Sequence, residues 1–311
     1  MLSGLTQPNY PKAAVGIERD KLTMLAIQKE GRGQFSLKQA ASVDVPVGLI
    51  EPSFLEKNIR NQAEFLYLLE EAASVSGLLN QKRWSVALPS NTGRSALLTL
   101  DAVPSSRQEL DEVLDWKAEH SFGVPASELR MSMQKISPDR EGKLRYFATA
   151  VKLIVIDEFE AAFEAFGWNA GLILPRAVSE SNWLFNRRGY GDSLLLSAQN
   201  DGFTALLLRG GEPRVVRSVT CTVSEIDDEI YRLLMFYNDR FVSSEAGGVL
   251  DGLLVIGKTF VPDRIREISR EALGKAVEVY RPLDVGMEMP VGSLDFDDVA
   301  APAGLAALGA A

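Results

Sequence analysis

Apolar and polar positions alternate through the first 45 residues in three runs. "AAVGI" (13–17) and "LTMLAI" (22–27) flank the turn "ERDK", and "FSLKQAASVDV" (35–45) continues at period two, the spacing of strands with one buried face. The period then becomes helical. Ser53 and Glu56 have capping-box spacing, and Leu55, Ile59, Ala63, Leu66, Leu69 and Ala73 share one side of the helix that would follow, closed by Gly77. "WSVALP" (84–89) reads as a buried strand, completing a β-β-β-α-β unit. The same order returns near residue 190. "LLLSAQNDGFTALLLRGGEPRVVRS" (194–218) is strand, turn, strand, a Gly210-Gly211 turn and strand. "SEIDDEIYRLLMFYNDRF" then aligns Ile226, Ile230, Leu233, Leu234, Tyr237 and Phe241 on one helix face. The strand "GLLVIG" (252–257), a helix opened by Pro262 and the strand "AVEVYRP" follow. A repeated unit of this kind sets the fold class before any motif does.

Between the copies the pattern is α+β. "SALLTLDAVP" reads as a strand. Ser106 and Glu109 form a second capping-box pair opening "RQELDEVLDWKAEHSF", with Leu110, Val113, Leu114 and Lys117 on a common side. "LRMSMQKI" and "LRYFATAVKLI" (144–154) are strands across "SPDREGK", and Asp157 is placed to cap a helix carrying Phe159, Ala162, Phe163 and Phe166. The reading is an α/β chain of two β-β-β-α-β units with an inserted α+β module. Its expected divisions are an N-terminal extension (1–12), a first unit (13–92), the module (93–156) and return helices (157–189). A second unit (190–290) and a C-terminal linker and helix (291–311) complete it, with a turn-rich boundary at 186–192.

Composition narrows the function classes. The 311 residues suffice for a sizeable core, and a hydrophobic content of 46% with 24% charged residues is ordinary for a globular chain. A formal charge of −9 without any basic stripe argues against nucleic acid, which requires clustered Lys and Arg. The single cysteine, Cys221, excludes a disulfide framework, fits a reducing compartment and reads as a buried strand thiol. "MLSGLTQPNYPKAA" lacks the charged and apolar regions of a leader peptide, and no run approaches the roughly 20 apolar residues of a spanning helix. His120, the only histidine, has no second histidine for an H-E-x-x-H zinc site and no G-x-S-x-G elbow to serve. "DFDD" (295–298) reads as a solvated linker rather than a metal cluster. No catalytic and no metal-binding residue is expected.

Particular stretches carry a resemblance. "LDWKAEHSFGVPASEL", "RYFATAVKLIVIDEFEAAFEAFGWNAGLILPRAVSESNWL" and the closing "DVAAPAGLAALGAA" occur in the order seen in PilM, the cytoplasmic actin-like component of type IV pilus assembly. The chain resembles that family from about residue 13 to its end, with the cytoplasmic part of the type II secretion protein GspL a near neighbour. The resemblance implies the actin-like, ribonuclease H-like fold. It also implies a nucleotide site made of two D-x-G turns and a later G-G turn, where glycine admits the phosphates and aspartate organises Mg²⁺.

At those positions the sequence departs from the pattern. The first turn reads Glu18-Arg19-Asp20, with a carboxylate where glycine is needed; the second reads Ser197-Ala198-Gln199; the third keeps only Gly257, followed by Lys258. The subdomain that covers adenine in PilM and FtsA has no counterpart between Val219 and Ser224. The expectation is a pseudo-ATPase without cofactor. The alternatives are an ATP- and Mg-binding switch of the same machinery and a small-molecule kinase of the same fold. An FtsA-like membrane filament would require a basic amphipathic tail, which "APAGLAALGAA" is not. As partner, the resemblance implies a PilN-like single-span membrane protein bound through its cytoplasmic N-terminal peptide. That would place the chain in the cytoplasm, peripheral to the inner membrane, with self-association left open. The peptide groove is expected along Val86, Leu88, Leu98 and Leu100, beside the acidic helix bearing Glu109 and Glu112.

Overall fold

Both expected hairpins form, and each turns through the polar residues that interrupt its alternation. In a computed structural model describing residues 9–185, 191–243, 248–292 and 294–310, the first unit comprises β1 (Ala13–Ile17), β2 (Lys21–Gly31), β3 (Gln34–Asp44), α1 (Gln62–Val75) and β4 (Arg83–Leu88). Residues 1–8 of the N-terminal extension and 186–190 of the expected boundary lie outside the described residues. The module contains β5 (Gly93–Thr99), α2 (Arg107–Phe122), β6 (Leu129–Ile136) and β7 (Arg145–Lys152). The chain then returns to the first unit through α3 (Leu153–Glu164), β8 (Asn169–Pro175) and α4 (Arg176–Phe185). The second unit follows with β9 (Asp192–Gln199), β10 (Gly202–Arg209), β11 (Glu212–Thr220), α5 (Ile226–Tyr237), β12 (Leu250–Ile256), α6 (Pro262–Leu273) and β13 (Glu278–Val279). Two residues of β14 (Met287–Glu288) and the helix α7 (Phe296–Ala310) end it.

The sheet orders display the duplication. The first sheet runs β14-β3-β2-β1-β4-β8, the second β11-β10-β9-β12-β13, and the module sheet β5-β7-β6. β1 is antiparallel to β2 and parallel to β4, as β9 is antiparallel to β10 and parallel to β12. This is the actin-like arrangement. Its outer faces are covered by α1 and α3 on one side, with Phe65 packed edge-on against Phe159, and by α5 and α6 on the other, around Leu234 and Ile265. Each such fully buried Leu, Ile or Phe stabilises by roughly 1.5–3 kcal/mol.

Between the two sheets lie α4 and α7. Helix α7 buries Val299, Ala300, Ala303, Leu305 and Ala306 in a core shared with Ala14, Leu25 and Ala87 of the first sheet and Leu195 and Leu254 of the second. Small residues make this possible. A Cβ on Gly304 would stand 2.3 Å from the Ser179 carbonyl oxygen, and one on Gly16 would stand 2.8 Å from the Pro302 ring. The Trp183 indole N–H donates to the Ala300 carbonyl at 2.7 Å, fixing α4 against α7.

Several local expectations are corrected. Ser53 does not open α1. Its hydroxyl accepts from the Leu55 and Glu56 amides in a loop, whose shape is set by buried Asn58 bonding the Ser53 amide, the Ser53 carbonyl and the Glu56 carbonyl. Asn61 is the cap, and the buried face is Phe65, Leu68, Leu69, Ala72 and Ala73, while Leu55 is exposed. Asp157 caps nothing, because α3 already begins at Leu153. The module therefore ends with β7 at Lys152, and the return segment is helix, strand, helix rather than helices alone. The "AVEVYRP" strand shrinks to two residues. Cys221 is half-buried just beyond β11. "DFDD" is the first turn of the central helix and no linker.

Gly304→Ala is expected to force α4 and α7 apart and cost about 1–3 kcal/mol, read as a lowered urea midpoint with a changed Trp183 emission. An unaltered midpoint would show that the helix contact tolerates a methyl group.

Candidate functional site

The cleft between the two units, a cavity of about 220 Å³, is lined at its base by Gly16, Glu18, Lys21, Gly257, Asp297 and Pro302. The β1–β2 hairpin brings Glu18 there. Its turn is closed by the Glu18 amide donating to the Lys21 carbonyl at 2.8 Å, and Val45 donates to the Asp20 carbonyl at 2.9 Å. Asp20 and Arg19 are exposed at the turn, with Asp20 on the cleft rim. From the second unit come Gln199 and Lys258. Buried Ser197 lies on β9, and the Gln199 amide donates across the hairpin to the Thr204 hydroxyl at 2.6 Å. Gly257 has φ +128°, and a Cβ there would lie 2.2 Å from that of Ala198. This glycine is thus demanded by packing against β9, whether or not a phosphate ever approaches it.

Arg176 and Glu180, which organise the cleft, were not singled out in the sequence. Arg176, the first residue of α4, places Nη1 2.9 Å from Glu18 Oε1 and Nε 2.6 Å from Glu180 Oε1. Its Nη2 donates to the Asp297 carbonyl at 3.3 Å. Glu180 is fully buried. The Glu18 carboxylate also accepts from the Ser90 hydroxyl at 3.3 Å. The Asp297 carboxylate accepts the Gly257 amide at 3.1 Å, so the backbone N–H of the third glycine turn is already taken. Asp298 holds Lys21 at 2.6 Å and lies 3.8 Å from Lys258. A further tie crosses the cleft from Asn91, in the left-handed region at φ 66°, whose side-chain amide donates to the Asp201 carboxylate at 2.7 Å.

Burial pushes the Glu18 carboxyl up despite Arg176, and does the same to Glu180, where Arg176 and Ser197 oppose it. Asp297 is also raised by burial, opposed by the Gly257 amide. Burial alone would lower the Arg176 guanidinium, but the two flanking carboxylates outweigh it and raise it. Glu18, Asp20, Asp297 and Asp298 line the cleft together with Lys21, Arg176 and Lys258, so its carboxylates and cations nearly balance. Among the described residues no group of three or more His, Cys, Asp or Glu is placed to hold a metal ion. The Gly257 amide and the Glu18 carboxylate are instead engaged within the protein, by Asp297 and Arg176.

The expected peptide groove needs redrawing. Val86 and Leu88 have no exposed surface: β4 is a central strand between β1 and β8, and both side chains lie in the core formed with α1 and α3. Leu98 and Leu100 are likewise buried beneath α2 in the module core. Glu109 and Glu112 are exposed, the former bonded to the Ser105 amide at 2.6 Å. A second cavity of about 200 Å³ does open where the module meets both units, lined by Gly93, Arg94, Ser95, Ser121, Phe122 and Pro175 among others.

Arg176→Met would leave the buried Glu180 and the partly exposed Glu18 without their cation, an expected loss of about 3 kcal/mol near neutral pH. Because the folded-state carboxyl pKa values lie above the unfolded ones, the folded state binds protons more readily between them, and stability falls as pH rises through that window. Removing the cation widens the window. The deficit, measured by urea unfolding against pH, is therefore expected to shrink as pH falls toward about 4.5, the ordinary carboxyl value.

No protein-family model matches this chain, and no curated protein matches it. Solved structures do. The cytoplasmic domain of EpsL, an inner membrane component of the type II secretion system of Vibrio cholerae, aligns over 85% of this chain and 94% of its own at 13% identity and TM-score 0.46. A Bacteroides thetaiotaomicron protein with an actin-like ATPase fold and unknown function aligns over 96% and 98% at 11% identity and TM-score 0.48. A chain of the PilM-PilN type IV pilus biogenesis complex aligns over 98% of this chain and 100% of its own at 16% identity and TM-score 0.75, a likeness of fold from end to end.

Proposed function

We propose that this chain is a non-catalytic, actin-like adaptor of a type IV pilus or type II secretion-like inner-membrane platform. It works at the cytoplasmic side and holds the cytoplasmic N-terminal peptide of a PilN-like single-span protein. One observation carries the non-catalytic part: the Gly257 amide is committed to Asp297 and Glu18 to Arg176, so two groups that the glycine-turn pattern would offer a nucleotide are engaged by the protein's own side chains. The end-to-end likeness in fold to a chain of the PilM-PilN complex supports the choice of partner. No helix among the described residues is long and apolar enough to cross a membrane, which is consistent with attachment through that partner.

The peptide is best accommodated along β5, an edge strand of the module sheet, where main-chain hydrogen bonds add a strand. The cleft at Gly93–Ser95 receives one end. Seven residues extended along β5 span about 23 Å, comparable to the roughly 20 Å of helix between Phe122 and Glu109. The other end therefore reaches toward Glu109 and Glu112, and a basic residue there is favoured.

Calorimetric titration tests both parts. Mg-ATP is expected to give no binding heat, while the N-terminal tail of a single-span membrane protein encoded beside this chain is expected to bind. Glu112→Lys should weaken that peptide roughly fivefold, about 1 kcal/mol. Heat on adding Mg-ATP would point to a nucleotide switch, and no tail binding would remove the adaptor reading.

A further inference from the structure

We propose that the outward face of α2 is a second docking surface, sharing only the border residue Glu112 with the peptide reading above, built to take an arginine-bearing segment of a protein partner on Trp116. The four tryptophans divide sharply: Trp84, Trp168 and Trp183 are 0–4% exposed, whereas Trp116 is 60% exposed. Nothing in the fold requires an indole there. Helix α2 buries its opposite side, Leu114, Ala118 and Phe122, against the module sheet. An indole in water on a well-formed helix is characteristic of an interface anchor, since Trp and Arg dominate binding hot spots.

The ring is also presented rather than loose. His120, one turn on, stacks on it with centroids 6.0 Å apart and planes 12° from parallel. Exposed carboxylates surround it at Glu112, Asp115 and Glu119. Lys117 passes within 5.6 Å of the ring but is anchored to Asp101 at 2.6 Å. Arg107 lies two and a half turns away, beside Asp111. The face thus offers a largely exposed indole with three acidic neighbours on its helix, and a cation, Lys117, already lies over the ring.

Charge selects the occupant. Anionic lipid headgroups, nucleic acid and a second copy of this chain, itself at −9, all meet repulsion on such a face. A guanidinium does not: it lies flat on indole while its N–H fork reaches carboxylates at the ring edge, a geometry that the ammonium of lysine cannot reproduce.

The test uses the full chain with two short peptides of equal length and charge, one Arg/Ala and one Lys/Ala, followed by tryptophan fluorescence, in which Trp116 is the one solvent-facing indole. The Arg peptide is expected to shift the emission and to bind about threefold tighter than the Lys peptide. Trp116→Ala should abolish that preference, with circular dichroism confirming the fold. Asp115→Asn with Glu119→Gln should weaken the Arg peptide about fivefold, the glutamine preserving an acceptor for the Ala126 amide that Glu119 now holds at 2.8 Å. Glu70→Gln with Glu71→Gln, removing two exposed carboxylates from α1, should leave the affinity unchanged. Equal affinities for the two peptides, binding without an emission shift, or an equal loss in the α1 variant would each overturn the proposal. Every arm leaves β5 and Glu112 unaltered, and the emission shift with its loss on Trp116→Ala reads the indole face alone, so the two sites fail separately.

Discussion

Arg176 joins three segments that are remote in sequence. Its guanidinium meets Glu18 from the first hairpin, Glu180 from its own helix and the carbonyl of Asp297 at the start of α7. Glu180 is fully buried, so the cation cannot be withdrawn without leaving a carboxylate stranded in a region of low dielectric. The two-sheet architecture brings these groups together, and their mutual neutralisation allows the sheets to stay together at a polar seam. Around it, Asn91 with Asp201 and Lys21 with Asp298 repeat the same device at the rim.

The central helices supply the apolar counterpart. α7 contributes alanines, glycine and a proline where bulkier residues would hold the sheets apart, and the backbone approach at Gly304 leaves no room for a side chain. Tight packing and the ion network act on the same joint. Side chains from both units tie the cleft across its base and rim. The module has its own sheet, its own core and one long acidic helix.

Much of this was legible along the chain. The alternation through residues 13–45 and 194–218, the helical face of α5 and the Ser106 cap of α2 all depend on residues close in sequence, and the structure places them as read. The chain's departure from the glycine-turn pattern was equally visible. The helix start assigned to Ser53 failed for a local reason that no spacing reveals: buried Asn58, bonded to Glu158 from a hundred residues away through the Asn58 amide, holds the segment as a loop.

What the sequence determined by itself was the repeat, and with it the class of fold, because period and turn chemistry are short-range properties. The tertiary structure alone decided the contents of the cleft. "DFDD" has the composition of a solvated linker, yet Asp297 and Asp298 cap the seam because α7 enters the core directly after them. Val86 and Leu88 look like any apolar strand residues, and only the helices packed on their sheet make them inaccessible. Trp116 is one aromatic among several until packing shows that its helix turns it outward. Charge pairing and burial are set by which distant segments meet, and that information exists only once the chain has folded.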